Sequence, residues 1–153
     1  MKTAVIIHGN PYYVNGMFKS LGDKFYKDIE IFLYSLGFEE VTHDPGKPYT
    51  SPKAADFWIG HSRGADRLRF APQGTLAIPI GSDQPGAVNH PVDAAFMKVH
   101  KTWLDGRSLM DIPVEERLHS PKEHFILTSS MASEIKRRIQ AHRLVQRVAS
   151  HIL

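Results

Sequence analysis

The stretch Phe57-Trp58-Ile59-Gly60-His61-Ser62-Arg63-Gly64 runs from three large apolar residues straight into a Gly-x-Ser-x-Gly pattern. The apolar residues read as a buried strand. Ala65 to Phe70 then reads as a short helix, ended by Pro72 and Gly74. A serine between a strand and a helix can serve as an N-cap, but capping calls for neither flanking glycine. A serine presented on a strained turn does call for them, because small neighbours let the strand and the returning helix approach closely. Ser62 is therefore the first candidate nucleophile.

Upstream, Ala4-Val5-Ile6-Ile7 is a continuous β-branched run stopped by His8-Gly9-Asn10-Pro11, the pattern of a strand buried on both faces. From about Asn15 to Leu36, residues Phe18, Leu21, Phe25, Ile29, Leu33 and Leu36 recur at helical steps, and Gly37 stands where a C-cap favours positive φ. A weakly patterned strand is expected over Phe38 to Thr42, and a stronger one over Thr75 to Ile80, ended by Gly81 and Pro85. Val92, Phe96, Val99 and Trp103 have helical spacing, whereas 105–122 shows no period; 87–122 is either a cap or an irregular insertion. Phe125-Ile126-Leu127 is the last short apolar run. From about Ser130, Met131, Ile135, Ile139, Val145, Val148 and Ile152 trace one face of a closing helix, on which His142 and His151 are expected in solvent. Strands alternating with helices predict an α/β fold, a single domain over 1–153 with a mostly parallel sheet flanked by helices.

Composition narrows the function. The chain has 153 residues, 42% of them hydrophobic, and no cysteine, which excludes disulfide scaffolds, thiolate nucleophiles and cysteine-bound metal. Met1 to Ile7 lacks the long apolar stretch of an export signal, so a cytoplasmic location is expected, and no run approaches the length of a membrane span. The net charge of +3 is local. Residues 135–153 hold five of the 19 cations, Lys136, Arg137, Arg138, Arg143 and Arg147, and no acid, so the rest of the chain is slightly acidic. No aromatic residue interleaves those cations, and a charged outer face ordinarily solvates an amphipathic helix, so no nucleic-acid partner is expected. His43 with Asp44, and His90 with Asp93, are too sparse for a metal set, and phosphate-binding glycine loops are absent; neither metal nor cofactor is expected. The closing helix docks on the sheet or forms a homodimer.

Three segments resemble the α/β-hydrolase superfamily, in particular its small capless serine hydrolases. Ala4 to Gly9 is similar to the strand ending in His-Gly, Trp58 to Ala65 to the nucleophile elbow, and Glu123-His124-Phe125 to the Gly-His-Phe loop of the catalytic histidine, with Glu123 in place of the glycine. The resemblance implies a minimal α/β-hydrolase-like fold, Ser62 as nucleophile, His124 as base, and an oxyanion hole made by the backbone N–H groups of Arg63 and Asn10. The acid must lie between serine and histidine. Asp83 is preferred because it follows the Thr75 to Ile80 strand and would emerge at the sheet edge that carries Ser62; Asp93, Asp105 and Asp111 are alternatives. Tyr12, Tyr13 and His61 are expected to contact a small acyl substrate, with Phe96, Met97 and Trp103 as further candidates. A protein of this ancestry that binds without catalysing is the competing expectation.

Overall fold

A computed structural model of the chain describes residues 1–9, 19–47, 50–81 and 125–152. In chain order these form β1 (Thr3–Ile7), α1 (Lys19–Ser35), β2 (Glu40–Asp44), β3 (Phe57–His61), a 3-10 helix (Ser62–Phe70), β4 (Leu76–Ile80) and α2 (Ser129–Ile152). The four strands make one parallel sheet in the order β2-β1-β3-β4.

Side-chain alternation along the strands divides the core in two. Ala4, Ile6, Phe57, Ile59, Ile78 and Ile80 point to the face covered by Phe25, Ile29 and Leu33 of α1 and by Met131, Ile135 and Ile139 of α2. Val5, Ile7, Trp58 and Ala77 point to the other face, where Ala65 and Leu68 of the 3-10 helix cover them. With both faces buried, the strands need continuous apolar runs, as the sequence has.

The 3-10 helix also obeys its own period. At three residues per turn, Ser62, Ala65 and Leu68 align on one buried row, while Arg63, Asp66 and Arg69 form the outer row. The third row carries Arg67, which is 3% exposed. Its guanidinium lies 3.5 Å from Asp44 Oδ1 and donates to the Lys47 carbonyl and to Thr50 Oγ1, so it ties the segment after β2 to the helix after β3.

Three expectations are corrected. The second strand begins at Glu40 rather than Phe38, because Gly37 N donates to Tyr34 O and Phe38 N to Leu33 O, a Schellman end that keeps Phe38 with α1. Gly37 has the positive φ of 96° that this end requires. Val145 and Val148 do not continue the face that Met131, Ile135 and Ile139 bury, and are 64% and 50% exposed. The six-residue step from Ile139 to Val145 turns off the inner face, and a 24-residue helix, about 36 Å long, exceeds the roughly 17 Å of a five-residue strand. His142, expected in solvent, instead lies seven residues after Ile135 on the inner side, with Nε2 buried. The basic face is partly neutralised: Glu134 pairs with Arg137 at 2.6 Å and Arg138 at 3.0 Å, and Arg143 donates to the Leu36 carbonyl at the end of α1.

Arg67→Met should lower the unfolding free energy by about 2–4 kcal/mol, because it removes a buried cation from Asp44 and strands the Lys47 carbonyl. Urea denaturation measures this, and Arg67→Lys should recover only part of the loss.

Candidate active site

In an open parallel sheet, ligands sit beyond the carboxyl ends of the strands, where neighbouring strands send the chain to opposite faces. Here that place lies between β1 and β3. The chain leaves β1 for α1 on one face and leaves β3 for the 3-10 helix on the other. His8-Gly9 and His61-Ser62 meet at this edge.

Ser62 has φ of 54°, the only positive φ of a non-glycine among the described residues, and is 8% exposed. That conformation costs an L-residue about 1–2 kcal/mol. The surroundings impose it. A Cβ on Gly60 would stand 2.8 Å from Ala65 Cα, and one on Gly64 would stand 2.4 Å from His8 O and 2.8 Å from Ile7 O. The turn can therefore close only with glycine on each side of the serine. Among the described residues no side chain caps the start of the 3-10 helix. The Arg63 side chain itself is exposed.

His61, two residues after Ile59, falls on the α1 side of the sheet and is 1% exposed. Its ring lies 4.7 Å from Phe25 and 5.6 Å from Phe125, and its Nδ1 is 2.7 Å from the Tyr26 hydroxyl. The structure thus seats it in the aromatic interior beneath the elbow, not on an open substrate surface. Tyr26 Oη also accepts the Gly9 N–H at 2.8 Å. Burial pushes the Tyr26 phenol well above its ordinary range, so it remains protonated.

A second polar chain borders the first. His8 stacks on Tyr26 with ring centroids 3.8 Å apart, and its Nε2 lies 2.7 Å from His43 Nδ1, so one proton serves that pair. His43 Nε2 is 2.8 Å from Glu30 Oε1. Burial first, then His43, lowers the His8 pKa to about 4, against smaller opposing effects of Asp23 and Asp44. His8 is neutral at pH 7.

Of the residues expected in the site, Ser62, Arg63 and His61 come together. Asn10, Tyr12, Tyr13, Asp83, Asp93, Asp105, Asp111 and His124 lie outside the described residues, as do Phe96, Met97, Trp103 and the stretch 87–122. Two described neighbours bear on them. β4 ends at Ile80 on the Ser62 edge, three residues before Asp83 in sequence, and Phe125, directly after His124, packs on His61. Among the described residues no group of three or more His, Asp or Glu side chains is arranged to hold a metal. Likewise no described helix is long and apolar enough to cross a membrane. Sequence reasoning missed Tyr26. Its signal was a polar-tipped aromatic beside Phe25 on the apolar stripe of α1.

No protein-family model, curated protein or solved structure matches the chain.

The His8 shift has a consequence for stability. Between pH 6.5 and about 4 the unfolded chain carries a proton on His8 that the folded chain excludes, so stability falls as pH drops through that window. The expected loss is about 2 kcal/mol after allowance for partial exposure of the ring. Thermal melting from pH 7 to 4 checks this, and His8→Gln should flatten the dependence.

Proposed function

We propose that the chain is a serine hydrolase of the α/β-hydrolase type that cleaves a small carboxylic ester, thioester or amide. One observation carries the reading: Ser62 is held at positive φ between two glycines that have no room for a side chain, at the β1/β3 crossing of a parallel sheet. A structural serine gives no return on such strain, whereas a nucleophile that must stand clear of its own backbone does.

In this reading His124 takes the Ser62 hydroxyl proton as Oγ forms a bond to the substrate carbonyl carbon. Asp83 orients the imidazole and stabilises its charge. The N–H groups of Arg63 and Asn10 hold the oxyanion, the bond to the leaving group breaks, and the leaving group departs with the proton from His124. Water, deprotonated by the same histidine, then releases the acid and restores Ser62. The contact of Phe125 with His61 supports the assignment of His124, since it holds the residue that follows His124 in sequence against the residue that precedes Ser62. The end of β4 at the same edge supports Asp83 over the later aspartates.

Treatment with a fluorophosphonate probe, followed by peptide mapping, is expected to place the adduct on Ser62 and to find none in Ser62→Ala. His124→Ala should slow labelling at least 100-fold. A folded wild-type protein that does not react would instead be a binding module without catalysis.

A further inference from the structure

We propose that Tyr26, a residue of α1 outside the serine–histidine–acid set, is a positioning residue of the hydrolytic site, whose hydroxyl locks the backbone leaving β1 to the histidine beside the nucleophile. The proposal rests on the hydrolase reading of Ser62.

Tyr26 is 1% exposed and packs like a core aromatic, so for packing alone phenylalanine would serve as well. The oxygen needs its own reason. It sits between Gly9 N, at 2.8 Å, and His61 Nδ1, at 2.7 Å. An amide N–H can only donate, so Tyr26 Oη accepts from Gly9. Giving the phenolic proton to His61 Nδ1 leaves no phenolic donor without a partner among the described residues, and that arrangement puts the His61 proton on Nε2. One hydroxyl thereby sets the pose of the β1 loop and the tautomer of the residue preceding Ser62.

The geometry leaves little slack. A Cβ placed on Gly9 would be 3.3 Å from Tyr26 Oη and 3.2 Å from Ser62 Cβ, so Gly9 is wedged between the phenol and the nucleophile. The phenol is itself held, by His8 stacked on it within 9° of parallel and by Phe25, whose tilted ring lies 5.5 Å away. Because the Gly9 N–H is committed to Tyr26, an oxyanion donor from this loop has to come from beyond Gly9, in keeping with Asn10. Loss of the hydroxyl frees the loop to shift relative to Ser62 while the ring still fills its place. Misplacement on the scale of 1 Å can cost about 100-fold in rate.

Tyr26→Phe isolates the oxygen. Hydrolysis of p-nitrophenyl acetate, fluorophosphonate labelling, thermal melting and the ring-nitrogen NMR shifts of His61 are compared with the wild type. We expect kcat to fall about 10–100-fold with KM within about twofold, the adduct to remain on Ser62, and His61 to change from one Nε2–H tautomer to a mixture. A wild-type enzyme that labels at Ser62, beside a Tyr26→Phe protein with unchanged kcat, overturns the positioning role and leaves the hydrolase reading standing. A wild type that neither labels nor hydrolyses overturns both. If Tyr26→Phe does not fold, His61→Asn, which keeps an acceptor near the Nδ1 position, should retain most of kcat and His61→Leu should lose it; equal rates in those two variants overturn the proposal.

Discussion

The approach of the elbow to the end of β1 governs the rest of the molecule. Gly64 lies so close to the carbonyls of Ile7 and His8 that no side chain fits between them, and Gly60 is crowded in turn by the backbone of Ala65. A chain that must turn from β3 into a helix within that space has one route, and it passes through the left-handed region at Ser62. Relaxing the turn would pull the 3-10 helix off the face formed by Val5, Ile7, Trp58 and Ala77. The strain at one residue is thus maintained by burial across a whole layer.

Polar groups at the sheet edge follow from the same crossing. β1 and β3 end side by side, and His8, directly after β1, and His61, the last residue of β3, point toward α1, where Tyr26 meets both. Farther out, His43 and Glu30 extend the line toward solvent, and Arg67 fastens the segment after β2 to the helix that starts at Ser62. An apolar core of two layers holds the strands, and a hydrogen-bonded rim fixes the loops that leave them. The rim, where donors and acceptors are paired over short distances, is where a small change in geometry alters chemistry more than stability.

The strands were legible because burial on both faces forces unbroken apolar runs, as in Ala4 to Ile7 and Phe57 to Ile59. The end of α1 was legible at Gly37, yet its effect on Phe38 was not, since the Schellman hydrogen bonds hold that residue back from the strand. Val145 and Val148 look periodic only if a six-residue step is accepted, and the helix geometry refuses it. Gly-x-Ser-x-Gly announced the turn but not its cause, because the carbonyls that crowd Gly64 come from residues more than fifty positions earlier. Tyr26 and Arg67 were hidden for a similar reason: each acts through partners distant in sequence, and neither breaks a local pattern.

Ser62 is held in a conformation its side chain resists. Unfolding free energies of Ser62→Gly and Ser62→Ala test it most directly, since both variants lack the hydroxyl and differ chiefly in tolerance of positive φ. The glycine variant is expected to be the more stable by about 1 kcal/mol, despite the greater freedom of its unfolded chain. An alanine variant as stable as the glycine variant, or more so, would contradict a strained elbow.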